Sequence, residues 1–169
     1  ALGRSGAGLV VAHGIDGDIT RIMVENPPST VKALAFAVFT RICGASDAHK
    51  WHVAHNSVLN ALTAALVPNS AVSERTTSVS GVENSFVIEK ATVFLKALMA
   101  DDDREMLRRI LNEVPHIVPA LLRGIDDSDG RTRDQLLQCL AAMVRAAGPA
   151  EHAQLAAAGA LESLASAMP

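Results

Sequence analysis

The stretches Leu9–Met23, LVVAHGIDGDITRIM, and Leu155–Met168, LAAAGALESLASAM, decide the fold. Each reads as helix, glycine turn, helix. Counted from the glycine, apolar residues stand at +1, +5, +8 and +9. These are Ile15, Ile19, Ile22 and Met23 after Gly14, and Ala160, Leu164, Ala167 and Met168 after Gly159. The same offsets counted from Ser57 fall on Val58, Leu62, Ala65 and Leu66. Counted from Glu113 they fall on Val114, Val118, Leu121 and Leu122. The four zero positions, Gly14, Ser57, Glu113 and Gly159, are separated by 43, 56 and 46 residues. A phrase returning at such an interval is one supersecondary unit used again, each copy burying its apolar side on the next.

Periods of roughly 40 to 47 residues are those of armadillo and HEAT arrays. The wide middle spacing has a local cause. Pro68 to Gly81, PNSAVSERTTSVSG, has no helical period and reads as a surface loop inserted into a repeat, extending to about residue 85. Its Ser70, Ser73, Thr76, Thr77, Ser78 and Ser80 are candidate phosphate acceptors that would bring negative charge near the groove described below. Between the phrases lies a longer helix each time, over about Ser29 to Cys43, Ser85 to Met99 and Arg131 to Ala146. Each starts at a Ser, Thr or Asp-rich turn able to cap free amides. Setting Phe39, Phe94 and Leu140 in register superposes Val38, Val93 and Cys139. It also aligns Ile42 and Cys43 with Ala97 and Leu98, then with Met143 and Val144, an apolar stripe expected to face a shared core. The predicted fold is all-α, an armadillo-like (ARM/HEAT) right-handed helical solenoid of about three to four repeats, with residues 1–169 as a single domain.

Composition agrees. Nearly half of the residues are apolar while aromatics make up 3%, a profile of alanine-rich helices in close contact. The net charge of −3, the lack of a Lys and Arg run and the scarcity of aromatics argue against nucleic acid. The longest apolar run, Ala33 to Phe39, is too short to cross a bilayer, so no membrane is expected. Cys43 and Cys139 fall on the predicted core face as free thiols, pointing to a reducing, cytoplasmic setting. The chain opens without Met and stops after the second helix of its fourth unit. A fragment of a longer chain is therefore expected, with a homodimer through the uncapped repeat ends as another way to cover them.

The candidates for chemistry are few. Gly3, Gly6 and Gly8 lack the strand and the Lys-Ser or Lys-Thr of a phosphate cradle and read as a flexible end. Asp127-Ser128-Asp129-Gly130 lacks the flanking ligands of a calcium loop, with Ile125 and Leu136 where ligands belong, and reads as a turn before a helix. His49, His52 and His55 step by three on one short helix, but a structural metal needs about four ligands, so they read as surface histidines. Trp51 reads as an anchor against the neighbouring repeat. There is no nucleophile, base and orienting-acid set, so neither a cofactor nor enzymatic activity is expected.

The product of such a solenoid is a long concave face lined by the third helices. The register above puts Leu34, Ala37, Arg41 and Gly44 there, then Glu89, Thr92, Lys96 and Met99, then Gln135, Gln138, Ala142 and Arg145. The partner-binding candidates are Arg41, Glu89, Thr92, Lys96, Gln135, Gln138 and Arg145. Import-signal receptors of this architecture repeat a Trp and an Asn in these helices. Arg41 and Lys96 stand at the Asn positions and repel a basic ligand.

The runs Asn26–Phe39, Ile88–Leu98 and Leu136–Val144 together resemble successive repeats of the armadillo-type nucleotide exchange factors of heat-shock protein 70, over about Leu9 to Ala165. The insertion from Pro68 to Ser85 and the absence of helices before the array depart from that family. The resemblance implies a non-enzymatic co-chaperone. Its concave face would hold one lobe of the heat-shock protein 70 nucleotide-binding domain and promote ADP release, with no nucleotide bound by the factor itself. The alternative is a generic armadillo scaffold for a peptide or protein, without exchange activity.

Overall fold

The structure, a computed structural model, describes residues 4–67 and 79–167. Among these residues there are eleven α-helices and no strand, so the chain is all-α. The helices are α1 (Arg4–Ala12), α2 (Ile15–Val24), α3 (Ser29–Cys43), α4 (Asp47–Val53), α5 (Asn56–Leu66) and α6 (Val79–Leu98). A 3-10 turn at Ala100–Asp102 leads to α7 (Arg104–Glu113), α8 (Ile117–Asp126), α9 (Gly130–Ala146), α10 (Pro149–Ala157) and α11 (Ala160–Ala167). No helix among the described residues is long and apolar enough to cross a membrane.

From α2 onward, most helices pack on the helix three further along the chain. Thus α2 touches α5, α5 touches α8 and α8 touches α11, while α3 lies along α6 and α6 along α9. Phe94 of α6 lies between Phe36 and Phe39 of α3, with ring centroids 5.8 and 5.7 Å away, and all three rings are fully buried. Burial of one such ring stabilises by about 1.5–3 kcal/mol. Further along, Cys43 of α3 and Ala97 of α6 line the same hollow, so the two helices run parallel. The pair α6 and α9 is parallel as well: the Ser85 and Thr132 hydroxyls stand 2.9 Å apart near the start, and the Cys139 thiol donates to the Thr92 carbonyl at 3.3 Å further on. Cys43 and Cys139 are both buried and unbridged, and burial pushes each thiol up to about 12.

The glycine phrases are turns of the expected kind. Gly14 and Gly159 hold φ of 69° and 84°, the left-handed region that suits glycine. The two inner copies have no residue of positive φ between their short helices, which is why they carry no glycine.

The phrase counted from Glu113 is displaced by three residues. The buried set Val58, Leu59, Leu62 and Leu66 of α5 is matched in α8 by Ile117, Val118, Leu121 and Ile125. The zero position is therefore His116, which lies 59 residues after Ser57 and 43 before Gly159. Both outer spacings are then 43, and all the extra length falls in the middle unit. Val114 misled the reading because it is buried too, at the end of α7.

Other boundaries also shift. Residues 68–78 of the expected insertion lie outside the described residues, as does Met168, but the segment predicted as loop up to 85 is helical from Val79 onward and belongs to α6. The expected flexible start is helix from Arg4, with Ala7 buried, while Gly3 lies outside the described residues. In the first phrase Met23 is buried, but Ile15 and Ile22 stay exposed. The Asp127–Asp129 segment is the turn between α8 and α9.

Candidate interaction surface

The long helices α3, α6 and α9 each bury one face in a common core and leave one face to solvent. On α3 the outward positions are Val31, Leu34, Val38 and Arg41, spaced at three and four residues as a helix requires. On α6 they are Phe86, Glu89, Val93 and Lys96. The match of Phe39 to Phe94 therefore holds for the solvent faces too. The match to Leu140 is off by one, because the outward positions of α9 are Arg131, Asp134, Gln138 and Arg145. Cys139 and Leu140 are both fully buried, so either could be read as the core position.

That register decides the fate of each expected contact residue. Arg41 is exposed on α3, and Lys96 is exposed on α6, where its ammonium donates to Gln138 Oε1 of α9 at 3.2 Å. Glu89 is half-buried and accepts from Lys90 at 2.9 Å, with Arg131 of α9 3.8 Å away. The bond from Lys90 holds its carboxyl below the ordinary range. Gln135 is half-buried, and Arg145 is exposed, 3.8 Å from Asp102 of the 3-10 turn.

Thr92 does not belong to the surface. It is 1% exposed, and its hydroxyl donates to the Glu89 carbonyl at 2.8 Å, which satisfies the polar group inside the helix. Met99 and Ala142 are likewise buried. What the sequence reading missed is apolar: Val93 is 43% exposed and Phe86 40%, beside Leu34 at 63% and Val31 at 37%. Val93 had been assigned to the core, since an apolar residue in an apolar stripe carries no sign of its exposure, whereas Val38 of the same stripe does pack, half-buried, against the core.

The histidines of the second unit serve separate contacts. His49 Nδ1 lies 2.9 Å from Ser46 Oγ, His52 Nε2 lies 2.7 Å from Asp16 Oδ2 of α2, and His55 Nε2 lies 3.4 Å from Thr20 Oγ1. His55 is not on α4 with the others but just before α5. Burial and the neighbouring His52 hold its imidazole below the ordinary histidine range. Among the described residues no three metal-ligating side chains converge.

Trp51 is half-buried, with the Arg109 guanidinium 5.4 Å from its ring centroid and Arg109 Nη1 donating to its carbonyl at 3.1 Å. It joins α4 to α7. Two buried charges tie α4, α7 and α10 together in the same way. Lys50 of α4 donates to Asp103, the residue that caps α7, and lies 3.3 Å from Asp47. Glu151 of α10 accepts from Arg108 at 2.8 Å, from Arg104 at 3.0 Å and from the Gly148 amide at 2.9 Å.

These ion pairs are structural ties, and the open chemistry lies on the solvent faces of α3, α6 and α9. Compared with protein-family models, curated proteins and solved structures, the chain matches none of them.

Proposed function

We propose that the chain is an armadillo-like right-handed solenoid that binds a protein partner on its third-helix face, as a non-enzymatic cytoplasmic module. The observation that carries this reading is the side-by-side parallel packing of α3, α6 and α9 with their solvent faces in one register. Four units account for the helices: α1 to α3, α4 to α6, α7 to α9, and α10 with α11. A layer of parallel third helices is the binding face of such arrays. Arg41, Lys96, Gln138 and Arg145 are its polar contacts, and Arg is favoured in binding hot spots.

The narrower reading is a co-chaperone that grips the nucleotide-binding domain of heat-shock protein 70 and speeds ADP release. Its support is the sequence resemblance of the three long helices. An effector of this kind must bind the ADP-free state more tightly, so ADP and factor weaken each other's binding by the same factor. The test is release of a fluorescent ADP analogue from that domain, with the wild-type chain and with Arg41→Glu. Faster release that Arg41→Glu abolishes supports the co-chaperone. Binding without faster release leaves the scaffold reading, and absence of binding removes the chaperone as partner.

A further inference from the structure

We infer that the α3–α6 part of this face binds an acidic amphipathic helix of a partner protein, an inference that rests on the interaction reading above. Val31 and Leu34 on α3 and Phe86 and Val93 on α6 are exposed apolar residues on the outward ridges of parallel helices: Val31 is level with Phe86, half-buried Val38 is level with Val93, and Leu34 is level with Glu89, whose carboxylate is engaged by Lys90. The Lys90 ammonium lies 5.0 Å from the Phe86 ring centroid and adds a cation to the face, while Val31, Leu34 and Val93 stay open. Exposed apolar side chains grouped in this way mark a binding surface more than a solvated one. Each ridge ends in a cation at the same height, Arg41 on α3 and Lys96 on α6. Neither pairs with a carboxylate among the described residues.

Shape and charge select the occupant. From Val31 to Arg41 the ridge is about 15 Å long, close to three helical turns. The furrow between two parallel helices accepts the ridge of a third. Carboxylates on the incoming helix meet Arg41 and Lys96, whereas a basic helix is repelled. The chain as a whole carries −3, so these cations are a local feature of the face and not an echo of overall charge. A second copy presenting the same face with its helices parallel would bring Arg41 and Lys96 against themselves, and one with its helices antiparallel would supply no free carboxylate among the described residues to meet either cation on this strip.

The probe is a fluorescein-labelled synthetic helix of about 16 residues, with Leu at helical spacing and Glu on the flanks. It is titrated beside a twin with Lys at every Glu position and read by anisotropy. Saturable binding of the acidic peptide alone is expected, weakened about tenfold or more by Leu34→Ser or by Arg41→Glu with Lys96→Glu, and weakened by salt. Helical circular dichroism of each variant shows that it is folded. Equal binding of both peptides, binding of neither, or a dimer by sedimentation that Leu34→Ser takes apart overturns the inference. Faster ADP release without peptide binding sinks the amphipathic helix and leaves the interaction reading standing. Peptide binding with unchanged ADP release sinks the co-chaperone and keeps this inference.

Discussion

Gly124 of α8 meets Leu66 of α5 so closely that a Cβ at Gly124 would stand 2.5 Å from the Leu66 carbonyl oxygen. The obstacle is backbone, which cannot turn aside like the end of a side chain. In an open helix Ala is favoured over Gly by about 1 kcal/mol. Here the clash forces α5 and α8 apart, and the loss of packing wins. Gly124→Ala is expected to destabilise the chain by about 1–3 kcal/mol, read as a lower urea midpoint. A midpoint equal to wild type would show that the two helices separate freely at this point.

Phe94 touches both Phe36 and Phe39, so its removal opens a cavity between two units at once. Phe94→Ala is expected to cost about 3–5 kcal/mol and Phe94→Leu under about 1.5. Equal losses for the two variants would mean that the site collapses around the smaller side chain.

Lys50 is buried with its ammonium on Asp103. Burial works against its charge, yet the bonds to Asp103 and Asp47 hold its pKa above the ordinary lysine range. Lys50→Met keeps the apolar stem and strands the Asp103 carboxylate, with an expected loss of about 1–3 kcal/mol. A double-mutant cycle with Asp103→Asn measures the coupling, and a coupling of zero would show the pair to be incidental.

The bond from Arg108, aided by the Gly148 amide and Arg104, overcomes burial and holds the Glu151 carboxyl at about 2. Asp103 is lowered too: burial raises it, but the bonds from Lys50 and the Met106 amide prevail. A carboxyl that is more acidic folded than unfolded binds fewer protons in the native state, so its stabilisation is present above the unfolded value. Urea midpoints are therefore expected to fall as pH drops from about 4.5 toward 2. Glu151→Gln lowers the midpoint at neutral pH and makes the acid limb shallower. An unchanged acid limb would assign acid sensitivity to other carboxyls.

The long helices were legible from their apolar spacing: α3 runs over Ser29–Cys43 as read from sequence, although neither α3 nor α9 carries the expected side-chain cap and α6 starts at Val79, six residues before the expected Ser85. Register was less legible where two nearby positions are both apolar and both buried. Cys139 and Leu140 allow a slip of one, and Val114 beside Ile117 allowed a slip of three. Exposure was least legible. Val93 has the side chain of a core residue on the solvent face, and Thr92 has that of a surface residue in the core, where its hydroxyl returns to its own helix. Lys50 and Glu151 are ties between segments about 50 residues apart, and no local pattern announces them.

The two buried thiols make the molecule its own stopwatch. Cys43 closes the third helix of the first unit, and Cys139 lies in that of the third. Held as neutral thiols by burial, both stay silent toward a disulfide reagent until the helix around them opens. Their labelling rates, read one at a time in Cys43→Ala and Cys139→Ala chains, time the opening of the two ends separately. Rates that coincide would mark the helical array as a single cooperative body, and rates that differ would say which of the two helices lets go first.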